Sequence, residues 1–233
     1  KFFYKFYNNY DKIIAQSNDM EVDLIKNFGI KKNKLLKINN PVDINFIEEK
    51  LKESERPVEF SHQHKNVVAI GNLSARKGFD NLLKVFSRLK NQNILLHILG
   101  DGKDKEMLLQ MKEMLGLDHV IFHGKKSNPY QYLKFADLFI LSSRYEGFPN
   151  VLLEAGTCGV YSLANNCPGG IDEIIIDQVN GEISNIENYD DFAEKIKHSV
   201  HRSDDKDNIK VSIKSRFSSE IILKKYEDLL WNI

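Results

Sequence analysis

Residues 137–154 have the sequence DLFILSSRYEGFPNVLLE, in which an unbroken apolar run leads through a short polar loop into a second apolar segment. The run Leu138–Leu141 shows no alternation with polar residues, which is typical of a strand buried on both faces of a parallel sheet. Pro149 stands at a favoured first position of a helix, and we predict that a helix begins there. The stretch therefore predicts one strand–loop–helix unit of an α/β protein.

Similar units occupy most of the chain on both sides of this stretch. Gly78–Asn91, for example, places its apolar residues on one stripe, as expected for a helix that packs on a sheet. The predicted strands are Lys12–Ser17, Lys34–Asn39, Asn66–Gly71, Ile94–Leu99, Val120–His123, Asp137–Leu141 and Val160–Ala164. The alternation of strands and helices predicts a doubly wound, Rossmann-like parallel sheet.

Helices are predicted near both ends of the chain. Asn18 and Glu21 have the spacing of a capping box that begins the helix Asp19–Asn27, and Gly29 is placed to end that helix. From Tyr189 onwards the pattern predicts two or three helices and no further strand.

The polar, charged stretch from Glu48 to Lys65 is typical of a linker. Residues 1–56 hold only about two strands and two helices, too few for an independent parallel-sheet domain. We therefore predict that residues 1–56 form the end of an N-terminal domain and a linker, and that residues 57–233 form an α/β domain. A small N-terminal extension of a single domain is the alternative.

Composition excludes several classes of protein. The chain carries 33 basic and 33 acidic residues, which argues against a broad nucleic-acid-binding surface. No stretch approaches the roughly 20 apolar residues that a membrane span needs. The aromatic and basic stretch Lys1–Lys12 predicts an amphipathic helix of an incomplete domain, or alternatively a helix at a membrane surface.

Cysteine and histidine usage predicts neither a disulfide nor a metal site. Cys158 and Cys167 lack the spacing of a metal-binding or redox pair, which favours a reducing, cytoplasmic setting. His62 and His64 are the one close histidine pair, and we interpret them as loop residues.

The strongest chemical signal is the segment from Glu146 to Glu154. Ligands of such sheets bind beyond the carboxyl ends of strands, where free amides at helix N-termini meet anions. Glycine at 147 lets the backbone approach a ligand closely. Glu154 stands in an otherwise apolar helix, where a carboxylate needs hydrogen bonds such as those from a pair of sugar hydroxyls. Alternatively, Glu154 caps its own helix or pairs with a lysine.

A second signal is the loop that follows the strand ending at Gly71. Arg76 can hold phosphate oxygens with its planar fork, and Lys77 adds a compact charge, so a diphosphate suits the pair. The alternative is that both cations are only solvated loop residues.

Two glycine-containing loops flank these signals. Gly100-Asp101-Gly102 predicts a tight turn that borders the ligand cleft, and Lys105 in the place of a third glycine argues against a dinucleotide site. Pro168–Glu173 predicts either a glycine-rich loop that faces the same cleft or a plain turn.

In this order and at these separations, the segments resemble the family-four retaining glycosyltransferases of the GT-B fold. The resemblance covers nearly the whole chain. The segments that carry it are Tyr10–Ser17, Asn40–Asp43, Gly71–Gly78, Val120–Gly124, Ala136–Ser143, Glu146–Glu154, Ala155–Gly170, Asn180-Gly181 and Arg216–Leu230. Tyr161 departs from the family, which usually has proline there.

The resemblance implies roles for individual residues. Arg76 and Lys77 would hold the donor diphosphate and stabilise the leaving group, and Glu154 would bind the ribose hydroxyls. Glu146 would contact the transferred sugar near its reacting carbon. The remaining implied donor contacts are Gly71, Lys125 beside the base, and the backbone of Gly147, Phe148, Pro149 and Asn150.

The resemblance further implies the donor-binding half of an enzyme that works without metal or cofactor. The expected donor is a nucleotide-diphosphate sugar, UDP-linked by default, and the expected acceptor is a glycan or a lipid-linked glycan. The earlier part of the family's acceptor domain has no counterpart in the sequence, so we expect that the chain alone does not complete transfer. The expected location is cytoplasmic, with a possible peripheral contact at the inner face of the membrane.

Other functions remain open on sequence alone. The main alternative is a non-catalytic nucleotide-sugar-binding remnant, or a split subunit that needs a partner acceptor domain. A sugar-nucleotide epimerase or a phosphorylase would share the two-domain architecture. The Glu146–Glu154 spacing disfavours the epimerase. The phosphorylase is disfavoured because no lysine has the sequence context of a pyridoxal phosphate site.

Overall fold

The computed structural model describes residues 2–60, 62–203 and 205–231, with side chains from residue 6 onwards. Within these ranges, eight strands form two parallel sheets. They are β1 (Ile13–Ala15), β2 (Leu35–Lys37), β3 (Lys65–Ile70), β4 (Ile94–Leu99), β5 (Val120–Gly124), β6 (Leu138–Leu141), β7 (Ser162–Asn165) and β8 (Gly181–Ser184). The first two strands pair with each other, and the other six form the main sheet.

Helices connect the strands and cover the main sheet. They are α1 (Asn18–Phe28), α2 (Ile44–Lys52), α3 (Phe79–Phe86), α4 (Lys105–Met114), α5 (Tyr130–Lys134), α6 (Asn150–Thr157), α7 (Ile171–Ile174), α8 (Tyr189–Ser199), α9 (Lys206–Phe217) and α10 (Ser219–Trp231). Among the described residues, the remaining elements are three 3-10 segments, Phe2–Asn9, Lys32–Lys34 and Ala75–Lys77.

The main sheet has the strand order β5-β4-β3-β6-β7-β8, and every neighbouring pair is parallel. The chain moves outward from β3 through β4 to β5, then returns to β6 and continues to the other edge. The order therefore reverses between β3 and β6, and the loops after these strands diverge to leave a crevice at their carboxyl ends. This is the doubly wound parallel fold that the sequence predicts.

Two apolar cores lie on opposite faces of the main sheet because side chains alternate along each strand. Within β6, Leu138 and Ile140 face one core, whereas Phe139 and Leu141 face the other. The first core includes residues of α3, α4 and α8, and the second includes residues of α2, α5, α6 and α9. Double coverage explains why the strands are continuous apolar runs.

All seven predicted strands overlap observed strands, but β8 was not predicted. Its sequence Gly-Glu-Ile-Ser contains one strongly apolar residue, and in the described part of the chain it pairs only with β7 at the sheet edge. An edge strand of this composition has no apolar run to identify it. The predicted helical tail is confirmed, with three helices from Tyr189 onwards.

The structure corrects several predicted helix boundaries. Ser17, and not Asn18, caps α1, because its Oγ accepts a hydrogen bond from the Met20 amide at 3.1 Å. Gly29 ends α1 in the left-handed region with φ 69°, as predicted. Pro149 is the N-cap of α6 and not its first residue, since its ψ of 89° is not helical.

The structure also corrects one predicted helix and one predicted linker. The predicted helix Gly78–Asn91 is shorter, since α3 ends at Phe86 and Asn91 has a positive φ. The predicted linker Glu48–Lys65 is partly helical, because α2 extends to Lys52. The polar residues that suggested a linker belong to an amphipathic helix whose apolar residues Ile44 and Ile47 pack into the second core. The division at residue 56 stays a prediction.

The first residues form a 3-10 helix at Phe2–Asn9, while the side chains of Phe2, Phe3 and Tyr4 lie outside the described residues. Across the described ranges, every helix is too short or too polar to cross a bilayer.

Candidate functional site

A cleft of about 380 Å³ lies at the carboxyl ends of β3, β4 and β5, on one side of the switch point. Its lining consists of Ile70, Gly71, Asn72, Leu99, Gly100, Asp101, Lys125, Lys126 and Pro129. Gly100 has φ 143°, and a Cβ there would lie 1.8 Å from the Gly71 carbonyl oxygen. The Gly100–Gly102 turn borders this cleft and keeps its floor open because it carries no side chain at the contact with Gly71.

Beside the cleft, three predicted site residues meet. The Arg76 Nη1 lies 2.6 Å from the Glu146 Oε2, and the Lys77 Nζ lies 2.5 Å from the Glu146 Oε1. Arg76 and Lys77 follow β3, whereas Glu146 follows β6, so the adjacency of these two strands brings them together. The Glu146 side chain is 6% exposed and the Lys77 side chain 12%, whereas 36% of the Arg76 side chain reaches solvent.

The Glu146 carboxylate has a third partner, because the Ser143 hydroxyl donates to its Oε1 at 2.6 Å. Burial by itself would raise the pKa of Glu146. Hydrogen bonds from Lys77 and Ser143, together with the charges of both cations, outweigh burial and hold its pKa below the usual range. Glu146 is therefore ionised at neutral pH in this arrangement.

The loop between Glu146 and α6 is held from three sides. The Gly147 carbonyl accepts a hydrogen bond from the Ser17 hydroxyl at 2.9 Å, and the Asn150 side chain accepts one from Asn40 at 2.8 Å. The Phe148 ring is buried against Phe217, with ring centres 5.7 Å apart. A ligand would therefore meet the backbone of this loop and not the Phe148 side chain.

Glu154 does not join the cation cluster. It lines a separate small cavity of about 170 Å³, whose lining shares no residue with the larger cleft. Burial raises its pKa to about 7. Neither of the alternatives, a lysine partner or capping by its carboxylate, is present among the described residues. Its predicted contact with ribose hydroxyls stays a prediction.

Lys125 and Gly71 line the larger cleft, and the predicted position of Lys125 beside a base stays a prediction. Lys125 follows Gly124, which turns the chain at the end of β5 with φ 67°. The remaining side of the cleft is formed by Asp101, Lys126 and Pro129.

The glycine-rich loop Pro168–Glu173 packs directly on the loop that carries Glu146. The Pro168 carbonyl accepts from the Glu146 amide at 2.8 Å, and a Cβ on Gly169 would lie 2.2 Å from the Glu146 carbonyl oxygen. This segment supports the backbone on either side of the Glu146 side chain, but none of its residues lines the larger cleft, as one of the two sequence-based alternatives expected.

Sequence analysis assigned no role to Ser143 or Glu173, although both lie in segments that it named. Ser143 directly follows a predicted strand and precedes Glu146 by three residues, a position that could have identified it. Glu173 gave no local signal, since its partners are residues of the first 40 positions: its carboxylate accepts from the Asn18 amide at 2.6 Å and from Lys37 at 2.7 Å.

Comparison with known proteins gives a family match. The model of the family described as "Glycosyl transferases group 1" matches residues 51–216. A Campylobacter jejuni protein named N-acetylgalactosamine-N,N'-diacetylbacillosaminyl-diphospho-undecaprenol 4-alpha-N-acetylgalactosaminyltransferase is 29% identical over 82% of this chain and 51% of its own length. An uncharacterized glycosyltransferase of Methanocaldococcus jannaschii is 31% identical over 77% of this chain and 45% of its own. The chain thus spans about half the length of the curated relatives it matches.

A solved structure shares the fold. The apo form of the lipopolysaccharide outer core galactosyltransferase WaaB has a TM-score of 0.77 and 25% sequence identity. The similarity covers 95% of this chain and 62% of that one.

Proposed function

The chain belongs to the glycosyl transferases group 1 family, and from this premise we propose that it binds the nucleotide-diphosphate sugar of a retaining hexosyltransferase. One observation carries the proposal. Arg76 and Lys77 converge on the buried carboxylate of Glu146 at the switch point of a parallel sheet, next to an open cleft. Clustered cations at this edge suit a diphosphate, because anionic ligands of such folds bind beyond the carboxyl ends of strands.

Arg76 and Lys77 would hold the diphosphate and stabilise the negative charge that develops on it as the sugar leaves. Lys77 is nearly buried, and a charge in such a partly desolvated site acts more strongly than one in water. Because both cations can supply this charge, the proposed transfer needs no metal ion.

The base would occupy the cleft between Gly71 and Lys125, beside Lys125. The ribose would extend towards the cavity of Glu154, whose lining residue Tyr130 directly follows Pro129 of the cleft. We propose UDP as the nucleotide. Glu154 would bind the ribose hydroxyls once the donor is present, which gives its unpartnered carboxylate the hydrogen bonds that it lacks in this structure.

Glu146 would face the transferred sugar near the reacting carbon, and the backbone of Gly147–Asn150 would orient that sugar. The acceptor would attack from the face of the leaving group, which retains the anomeric configuration.

We propose a glycan or lipid-linked acceptor, bound by a facing domain of which residues 1–56 form part. The Campylobacter relative is named for an undecaprenol-linked acceptor, and WaaB for lipopolysaccharide, which supports this acceptor class. A cytoplasmic location and a peripheral membrane contact stay predictions.

The test is calorimetric titration of the protein with UDP, GDP and ADP. We expect one diphosphate to bind selectively, and Lys77→Ala and Glu154→Ala each to weaken binding by about tenfold or more, which corresponds to about 1.4 kcal/mol. Lys195→Ala is a matched control, because Lys195 is also paired with a glutamate, Glu182, but lies on α8. Its diphosphate affinity should equal that of the unmodified protein.

A folded protein that binds none of the three diphosphates would refute the proposed site. Selective binding without transfer to any acceptor, measured with the full-length protein, would favour a non-catalytic nucleotide-sugar-binding protein instead.

A further inference from the structure

A second ion pair lies next to the two cations and contacts neither Glu146 nor the cleft. Asp80 lies in the first turn of α3 and accepts two hydrogen bonds from Arg144. The Arg144 Nη1 donates to Oδ1 at 2.8 Å, and Nη2 donates to Oδ2 at 2.6 Å. Arg144 follows β6, so the pair joins the segment after β3 to the segment after β6. The charge of Arg144 and its hydrogen bonds hold the pKa of Asp80 below the usual range, although burial opposes this.

Arg144 also holds the turn that carries the cations. Its Nη1 donates to the Ala75 carbonyl at 2.5 Å, and its backbone amide donates to the Arg76 carbonyl at 2.8 Å. The Ser142 hydroxyl donates to the Lys77 carbonyl at 2.8 Å. All three carbonyls of the turn Ala75–Lys77 therefore accept hydrogen bonds from residues 142–144.

The same turn is sterically fitted to the loop after β6. Gly78 ends the turn with φ 65°, and a Cβ there would lie 2.1 Å from the Ser142 carbonyl oxygen. The turn thus rests directly on the backbone of the loop that leads to Glu146, and a shift of one segment moves the other.

We infer that the Asp80–Arg144 pair is a positioning device which, through the turn Ala75–Lys77, aims Arg76 and Lys77 at the donor diphosphate; this rests on the proposed function. The two-pronged contact fixes the orientation of the guanidinium, and this orientation determines where the Ala75 carbonyl lies. The Arg144 side chain is 39% exposed and the Asp80 side chain 25%, so the pair adds little stability as an ion pair. Its effect should appear in how strongly the cations bind a β-phosphate.

The experiment compares calorimetric affinities for UMP and UDP. Their ratio measures what the β-phosphate adds to binding, whereas a general loss of structure weakens both nucleotides together. We expect Asp80→Asn to reduce this ratio by about fivefold, because the neutral amide no longer anchors both Nη atoms. Arg144→Lys should reduce it similarly, since an ammonium cannot hold Asp80 and the Ala75 carbonyl in the same geometry. Asp80→Glu, which keeps the carboxylate, should retain most of the ratio.

Asp137→Asn is the matched control. Asp137 is 27% exposed and joins the same two strands at their opposite ends, through Lys65 at 3.1 Å and the Asn66 amide at 2.8 Å. Asp137→Asn should lower the melting temperature without changing the ratio of the affinities for UDP and UMP. If Asp80→Asn proves too unstable to titrate, Arg144→Lys and Asp80→Glu decide the question.

Two failures are distinguishable. If the unmodified protein binds no nucleoside diphosphate, the proposed function fails. If it binds UDP and loses the β-phosphate contribution in Lys77→Ala, but keeps the full ratio in Arg144→Lys and Asp80→Asn, the proposed function stands and the positioning role is wrong. A ratio that falls equally in Asp137→Asn would also overturn the positioning role.

Discussion

At the scale of single residues, Glu146 occupies the place where the two cations would hold a diphosphate. Its carboxylate accepts from Arg76, Lys77 and Ser143, all at 2.5–2.6 Å. A carboxylate and a phosphate present similar oxygens to a guanidinium or an ammonium. In the proposed donor complex these cations turn from Glu146 to the diphosphate, so the carboxylate of Glu146 and the diphosphate compete for them.

This competition predicts that Glu146→Gln binds UDP more tightly than the unmodified protein. The neutral amide forms no ion pair with Arg76 or Lys77 and removes a negative charge beside the diphosphate, so we expect a gain of about threefold to tenfold. Calorimetric titration with UDP measures this. Transfer activity of the full-length protein should fall, because the group proposed to face the reacting carbon has lost its charge.

Glu146→Asp is the control for this prediction. It keeps the charge, and its affinity for UDP should stay close to that of the unmodified protein. Weaker binding of UDP to Glu146→Gln would show that the carboxylate arranges the cations for the ligand and does not compete with it.

Glu154 predicts a pH dependence of stability in the absence of donor. Its pKa rises from 4.5 to about 7 by burial, so the folded protein keeps the proton in a pH range where the unfolded chain has released it. This contribution to stability is fully present below pH 4.5 and is lost as the pH rises through about 7. Glu154→Gln removes the ionisation, and its stability should fall less between pH 5 and pH 8, by about 1–3 kcal/mol.

Urea denaturation at several pH values between 5 and 8 measures this difference. Glu113→Gln replaces an exposed glutamate on α4 and should leave the pH dependence unchanged. Parallel curves for Glu154→Gln and the unmodified protein would mean that Glu154 is already ionised in the folded protein at pH 5.

At the scale of elements, the turns after β3 and β6 decide where the site residues lie. The side chains of these two strands are buried in the two cores, whereas the site residues lie on the loops that follow the strands. Gly78, in the turn after β3, and Gly100, in the loop after β4, let the backbone approach its neighbours more closely than any residue with a Cβ could. The functional side chains are therefore placed by strand order and by loop contacts, while the helices mainly cover the cores.

At the scale of the whole molecule, the small sheet of β1 and β2 is docked onto the loops of the site. Glu173, whose side chain is 10% exposed, accepts from Lys37 and from the Asn18 amide, and also from Asn39 at 3.0 Å. The Asp19 carboxylate accepts from the Gly169 amide at 2.7 Å. The first part of the chain therefore supports the Gly147 and Gly169 loops, and its packing and the geometry of the site are linked.

Glu173→Ala should weaken this docking. Removal of the carboxylate leaves Lys37 and the Asn18 amide without their partner, which we expect to cost about 1–3 kcal/mol. Hydrogen exchange measures the consequence: amides of α1 and β2 should exchange faster, while those of β4 keep their protection.

Glu182→Ala is the control, because it removes a partly buried glutamate that pairs with Lys195 on α8. It should leave exchange in α1 and β2 unchanged. Unaltered exchange in these two elements in Glu173→Ala would show that apolar contacts alone hold the small sheet in place.

The sequence by itself determined the alternation of strands and helices along the chain and the parallel sheet, and it singled out Arg76, Lys77 and Glu146 as candidate site residues. These follow from local patterns, because apolar periodicity and glycine positions act over a few residues. Where the pattern is weak, as in β8, or where polar residues cover one face of a helix, as in α2, prediction from sequence failed. The caps at Ser17 and Pro149 differ from prediction by one residue, since neighbouring residues have similar capping ability.

Only the tertiary structure decided which of these residues meet. It joins Arg76 to Glu146, which are 70 positions apart, and Asn18 to Glu173, which are 155 apart. It also places Glu154 in a cavity of its own and pairs Asp80 with Arg144. These contacts depend on β3 lying beside β6 and on the docking of the small sheet. Strand order results from the packing of the entire chain, and no local pattern of residues specifies it.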